Sequence, residues 1–114
     1  MGENVVADKS FAFALKIVNV YKHLSVNKKE FVLSKQLLRS GTSIGANVRE
    51  AIFAQSKKDF ISKMNIALKE ASETEYWLEL LCQSDYIEGS DIRQDCMELK
   101  KLLCSIVKSS KENS

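Results

Sequence analysis

One segment in the second half of the chain repeats its apolar residues at alternating spacings of four and three. The positions span three heptads: Phe60, Met64, Ala67, Ala71, Thr74, Leu78 and Leu81. This spacing keeps one side of an α-helix apolar and is typical of the seam of a left-handed, near-antiparallel bundle. The 114 residues include no proline and only four glycines, which favours long helices over irregular loops. The chain must therefore bury one side of a long helix near residues 57–84.

Three other segments carry helical periodicity, near residues 8–24, 30–53 and 90–108. The last of them has its own seam at Ile92, Cys96, Leu99, Leu103 and Ile106. Four helices with short connections predict an all-α, antiparallel up-down-up-down four-helix bundle without strands. A chain of this length suits one domain, residues 1–114, with an ordered core of about 8–108 and a loose lead-in at residues 1–7.

Candidate N-terminal caps mark where these helices begin. Side chains of Asp, Asn and Ser accept hydrogen bonds from the first unpaired N–H groups of a helix. The predicted caps are Asp8 for the first helix, Asn27 with Glu30 as a capping box for the second, Ser56 followed by Asp59 for the third, and Ser90 for the fourth.

The second helix contains two glycines four residues apart, Gly41 and Gly45, among other small residues. Glycine inside a helix costs roughly 1 kcal/mol relative to alanine, so the pair requires a reason. The commonest reason is the close approach of another backbone. Thr42 and Ile44 beside the glycines lower helix propensity and permit a kink there.

The first helix is apolar over most of its circumference. One stripe is Ala7, Phe11, Ala14, Val18 and Tyr21; an adjacent one is Phe13, Ile17, Val20 and Leu24. A helix with two apolar stripes is buried against more than one neighbour. We interpret Phe13, Ile17, Val20 and Leu24 as an oligomer interface, the alternative being a helix that is merely well buried within one chain.

A polar stripe lies on one face of the second helix. Its residues are Gln36, Arg39, Ser43, Asn47 and Glu50, spaced three, four, four and three. One interpretation is a structural network in which the stripe pairs with Glu70 or Glu73 and fixes helix register. The other is a site for an RNA backbone or a partner peptide. Arginine pairs equally well with carboxylate and phosphate, so the residue types do not decide.

Charge is unevenly divided along the chain. Residues 1–58 carry ten Lys/Arg and four Asp/Glu, whereas residues 59–114 carry seven and eleven. Lysines gather near both ends of the second helix, at Lys28, Lys29, Lys35, Lys57 and Lys58. In a ring of subunits they would form two basic belts that contact phosphates without reading bases. The alternative is a solvated surface.

Signals for catalysis or metal binding are scarce. The sequence has one histidine, His23, no CxxC pair and no Glu-x-x-His motif, so we expect no metal, no cofactor, no small-molecule substrate and no enzyme activity. The three cysteines suit buried positions in a reducing cytoplasm. The N-terminus lacks the apolar region of a secretory signal, and no apolar run is long enough to span a membrane.

The central residues carry a family resemblance. QLLRSGTSIGANVREA (36–51), followed by KKDFISKMNIALKEASETEYWLELL (57–81), resembles the four-helix-bundle proteins encoded in intervening sequences of bacterial 23S ribosomal RNA genes. The resemblance covers about residues 11–87, and on the third helix Ala67, Glu73 and Glu75 also fit its pattern. Many members have Pro at the position of Gly45 and Gly at that of Ala51, and these departures match a recognisable subgroup.

The resemblance extends, more distantly, to the accessory variability protein of diversity-generating retroelements, a pentameric barrel that associates with nucleic acid and a reverse transcriptase. It therefore implies a homopentamer. Together these observations predict a non-enzymatic, cytoplasmic, oligomeric bundle that binds structured RNA or a ribonucleoprotein. The alternative function is a protein-interaction scaffold without nucleic acid.

Overall fold

The computed structural model describes residues 2–113, with side chains described for residues 5–113. Its helices are α1 (Gly2–Lys22), α2 (Leu33–Ile52), α3 (Lys57–Gln83) and α4 (Ser90–Glu112), and a π-helical turn, His23–Asn27, prolongs α1. No strand occurs within residues 2–113. The all-α class with four helices is confirmed. The helices form an elongated body of 46 × 20 × 20 Å.

Helices that follow one another in the chain pack side by side, and α4 closes back onto α1. Gly45 lies beside Ser10 and Gly41 beside Ile17, so α2 runs back along α1. Lys57 Nζ, at the start of α3, donates to the backbone oxygen of Asn113, after the end of α4, at 2.6 Å. These contacts are consistent with the predicted up-down-up-down order.

The predicted seams lie in the core. On α3 the residues from Met64 to Leu81 of the heptad series are buried, and Phe60 packs partly against them. On α4, Val107 takes the last buried position and Ile106 is only partly covered. Apolar residues spaced by four and three lie on one side of a helix, and that side faces the core whichever helices form it. Spacing alone was therefore enough to predict that these residues are buried.

The N-terminal prediction was wrong. Helix α1 begins at Gly2 rather than near residue 8, and Asp8 lies inside it rather than capping it. The reason is tertiary: Val6 is fully buried, so the first turns of α1 already contact the core. Helix α4 likewise continues beyond residue 108, to Glu112.

The start of α2 also differs from the prediction. Asn27 does not cap it; its amide lies 3.0 Å from Nδ1 of His23 in the π turn. Helix α2 begins at Leu33, and the Glu30 carboxylate accepts hydrogen bonds from the backbone N–H groups of Val32, Leu33 and Ser34 at 3.1, 3.0 and 2.7 Å. Glu30 therefore performs the capping predicted for Asn27.

Of the other two predicted caps, the one at Ser56 is confirmed and the one at Ser90 is not. Ser56 Oγ accepts from the Asp59 N–H at 3.0 Å, as predicted. The prediction for Ser90 was wrong, because Ser90 is the first residue of α4 and the N-cap is Gly89. Gly89 adopts a left-handed φ of +68°, and no side chain caps this helix. Helix α2 runs unbroken through Gly41 and Gly45.

Candidate functional site

The polar stripe of α2 meets α3 at Arg39. The guanidinium pairs with Glu73 and lies 3.5 Å from a carboxylate oxygen of Glu70. The indole Nε1 of Trp77 donates to the same Glu73 carboxylate at 3.0 Å. These two donors, Trp77 first, hold the pKa of Glu73 below its ordinary value. The stripe thus ties α2 to α3 through one shared carboxylate.

The remaining stripe residues point elsewhere. Ser43 Oγ donates to the Arg39 carbonyl at 2.6 Å, and Asn47 Nδ2 donates to the Ser43 carbonyl at 2.9 Å. Glu50 pairs with Lys63 of α3 at 3.0 Å, and Gln36 is exposed. Solvent screens exposed pairs of this kind, so they contribute little to stability. Whether the stripe also binds a partner stays a prediction.

Two buried hydroxyl groups, of Ser40 on α2 and Thr74 on α3, lie beside the stripe where the two helices are in contact. The oxygens of Ser40 and Thr74 lie 2.9 Å apart, and Thr74 also donates to the Glu70 carbonyl at 2.7 Å. Both side chains are fully buried between α2 and α3. The small residues of α2 therefore serve contact on both sides, toward α3 at Ser40 and toward α1 at Gly41.

The predicted oligomer interface requires a correction. Phe13, Ile17 and Leu24 are buried inside the single chain, and Val20 packs partly against the same core. They belong to the intramolecular face of α1, so their side chains cannot be the surface that meets another subunit. The large apolar side chains of α1 that are more than half exposed are instead Phe11, at 54% exposure, and Leu15, at 53%.

A groove of about 440 Å³ runs between α1 and α2 beside Phe11. The Arg49 guanidinium lies 5.8 Å from the centroid of the Phe11 ring, within cation–π range. Small side chains form much of the groove wall. We call it the outer groove, and its residues are Ala7, Ser10, Phe11, Ala14, Thr42, Gly45, Ala46, Arg49 and Glu50.

The five candidate nucleic-acid lysines divide between the two ends of α2. Lys28 and Lys29 lie in the α1–α2 connection and Lys35 in the first turn of α2, whereas Lys57 and Lys58 begin α3. Twenty residues of α2 separate the ends by about 30 Å. Within one subunit the five therefore cannot form a single patch.

The segment at the first of these ends is itself basic. We define the α1–α2 tip as residues 22–35, which carry the exposed lysines Lys22, Lys28, Lys29 and Lys35 and one acid, Glu30. Sequence reasoning missed Lys22 and three exposed apolar residues of the tip, Val26, Phe31 and Val32. The exposed apolar residues could have been recognised from the sequence, because they lie outside every apolar stripe.

The cysteines are free thiols at three degrees of burial. Cys96 is fully buried, and that burial raises the pKa of its thiol to about 12, so it stays protonated. Cys82 is partly buried and Cys104 is exposed. Among the described residues, no group of three or more His, Cys, Asp or Glu is placed to hold a metal ion. No described helix has the combination of length and apolarity that crossing a membrane requires.

Comparison with known proteins identifies the family. The family model for the 23S rRNA-intervening sequence protein matches residues 2–105. A crystal structure from Bacteroides thetaiotaomicron VPI-5482, of a protein of unknown function from the S23 ribosomal protein family, is 62% identical with a TM-score of 0.92. The match covers 95% of this chain and 99% of that one. No curated protein matches the sequence. With four helices and a match over nearly its whole length, the chain belongs to the 23S rRNA-intervening sequence protein family.

Proposed function

We propose that this protein is a non-enzymatic homo-oligomer of the cytoplasm that binds structured RNA. The observation that carries the proposal is the α1–α2 tip, a segment that carries four exposed lysines and one acid. None of the four belongs to an ion pair within the described residues. Unpaired lysines at one end of a rigid helical body suit a phosphate backbone, which lysine contacts as a point charge.

The family supports this choice only through its name, which refers to ribosomal RNA genes. Lysine contacts to phosphate carry no base specificity, so the tip by itself would position an RNA rather than read it. In an assembled ring the tips repeat around the axis, which multiplies the contacts. Five copies are proposed because of the resemblance to pentameric relatives.

RNA affinity is expected to fall steeply with salt. Four phosphate contacts predict a loss of roughly 50- to 150-fold between about 50 and 200 mM salt, measured by anisotropy of a fluorescent hairpin RNA. Reversing Lys28 and Lys29 to glutamate should weaken binding at low salt. The control is the pair Lys101→Glu and Lys108→Glu on α4, which changes net charge equally at exposed positions away from the tip.

Two results would count against RNA binding. One is the absence of any binding at tens of micromolar protein and low salt. The other is an equal loss of affinity in the two charge-reversed proteins, which would mean that net charge and not the tip attracts RNA.

The proposed oligomer would form through the outer groove together with the exposed Leu15, one helical turn after Phe11, rather than through the predicted face. Phe11 and Leu15 are more than half exposed in one chain, and burial of large apolar side chains drives association. We expect light scattering at micromolar concentration to give a mass above that of one 12.9 kDa chain. Phe11→Asp with Leu15→Asp should give monomers that stay helical.

Val26→Asp is the matched control, because Val26 is exposed but lies in the π turn away from the groove. It should leave the oligomer intact. A monomeric wild-type protein, or an assembly that tolerates the Phe11 and Leu15 changes, would refute association through this groove.

A scaffold that binds only protein is the second candidate function. The observation that favours it is the number of large apolar side chains open to solvent, of which Phe53 is 80% exposed. A pull-down from native lysate with and without nuclease separates the two functions. Partners that survive nuclease favour the scaffold, whereas partners lost with nuclease favour the RNA-bound form.

A further inference from the structure

The α1–α2 tip combines lysines with an aromatic ring that the fold leaves uncovered. Phe31 is 52% exposed and the adjacent Val32 is 71% exposed. In the sequence they follow Lys28 and Lys29 and precede Lys35. Phe31 has no place in the hydrophobic core. Its position in a lysine-rich turn distinguishes it from the exposed Phe11, which lies under Arg49 in the outer groove.

The backbone of the tip is held in place by hydrogen bonds. Lys28 N–H donates to the His23 carbonyl at 3.2 Å, and Glu30 N–H donates to the Leu24 carbonyl at 2.9 Å. Lys29 adopts a left-handed φ of +55°, which reverses the chain between α1 and α2. Phe31 follows this fixed turn directly, so its backbone requires little ordering when a ligand arrives.

The single acid of the tip is already engaged. Both oxygens of the Glu30 carboxylate accept backbone N–H groups at the start of α2. Desolvation alone raises the pKa of Glu30, but the N–H donors of Leu33, Ser34 and Val32 outweigh it, and the pKa lies below its ordinary value. Glu30 is therefore ionised near neutral pH, and its charge is directed at the α2 N-terminus rather than at the lysines.

We infer that the α1–α2 tip is a binding site for an unpaired nucleotide, with the base stacked on Phe31 and the flanking phosphates held by Lys28, Lys29 and Lys35. This inference rests on the proposed RNA binding and specifies which RNA is bound. A base within a duplex is covered by its neighbours, so a ring at a protruding turn can stack only on a loop, a bulge or a single strand. Val32 adds apolar contact beside the ring.

The test compares a 15-nucleotide single-stranded RNA with a duplex of matched length, both fluorescently labelled, by anisotropy. The single strand is expected to bind more tightly. Phe31→Leu should weaken single-strand binding by roughly 5- to 150-fold, the range measured for loss of one stacked base. Duplex binding should hardly change. Phe31→Trp should preserve single-strand binding, because stacking requires an aromatic face and not phenylalanine itself.

Salt dependence separates the ring from the lysines. Phe31→Leu should leave the slope of log affinity against log salt unchanged, because it removes no charge. Lys28→Gln with Lys29→Gln should reduce that slope by about 1.4, as expected for two lost phosphate contacts. Phe53→Leu is the matched control; Phe53 is more exposed than Phe31 but lies at the opposite end of α2, and its loss should not alter binding.

The failures are distinguishable. If wild-type protein binds RNA but Phe31→Leu binds single strands as well as wild type does, the nucleotide site is refuted and RNA binding stands. If no RNA binds at all, the proposed function itself fails. An acidic peptide of equal charge that binds as tightly as the RNA, and loses affinity equally with Phe31→Leu, would overturn the inference by identifying a protein-docking site.

Discussion

Ile17→Asp is expected to unfold the chain. Ile17 is fully buried on α1, and its side chain packs directly over Gly41 of α2. A carboxylate placed there would lose its water and gain no positive partner, because its surroundings are apolar. The expected loss is about 4 kcal/mol or more, in the range of the most severe single substitutions. For a domain of this size that lowers the melting temperature by at least about 15 °C.

Circular dichroism during thermal unfolding measures the effect. Asn19→Asp is the control, since Asn19 lies two residues away on the exposed side of the same helix and gains the same charge. It should shift stability by no more than about 0.5 kcal/mol. If Ile17→Asp were folded and merely monomeric, Ile17 would belong to a subunit interface and its place in the core would be wrong.

The second large effect is expected at Gly41. A Cβ atom added there would lie 2.7 Å from Cγ1 of Ile17 and 2.9 Å from both Cδ1 and Cγ2. Ile17 is enclosed on all sides, so it cannot move away without disturbing the core. Gly41→Ala should destabilise the protein despite the better helix propensity of alanine, and Gly41→Leu should cost about 3 kcal/mol or more by overpacking.

Gly45 provides a matched comparison four residues further along α2. A Cβ there would lie 3.4 Å from the Ser10 carbonyl oxygen, at ordinary contact distance. Gly45→Ala should therefore be neutral, or stabilising by up to about 1 kcal/mol through helix propensity. Urea unfolding of the two alanine variants decides the matter. Equal effects would show that the contact with Ile17 does not set the requirement for Gly41.

A double-mutant cycle isolates the steric cause. Ile17→Ala removes all three carbon atoms that a Cβ at residue 41 would meet. In that background Gly41→Ala should no longer destabilise, so the two changes should be strongly non-additive. If Gly41→Ala costs the same with and without Ile17, backbone strain rather than the side-chain clash would explain the glycine.

The repeating seams were readable from the sequence because periodicity is a local property. Seven residues of α3 from Phe60 to Leu81 share one side of a helix by spacing alone, and a bundle has its core on that side. The Ser56 cap was predictable for a similar reason. Its hydroxyl and the Asp59 N–H are three residues apart, and helix geometry alone brings them together.

The candidate sites depended on distances that the sequence does not contain. Residue types and spacing placed Arg39 and Glu73 on facing helices but could not bring them together; that required the packing of α2 on α3. The indole of Trp77, which shares the Glu73 carboxylate, was not anticipated. Likewise Phe31 becomes noticeable only when the turn at Lys29 directs it to solvent.

By itself the sequence determined that the chain forms four helices and which residues share each apolar stripe, because both follow from the helical repeat. It did not determine which stripe of α1 faces inward. Ile17 and Phe11 are equivalent in hydrophobicity and spacing, and the tertiary structure chose between them. Ile17 faces inward because Gly41 of α2 leaves room for its side chain, while Phe11 stays outside beside Arg49. Periodicity fixes the faces of one helix, whereas complementary shape between two helices decides which face is buried.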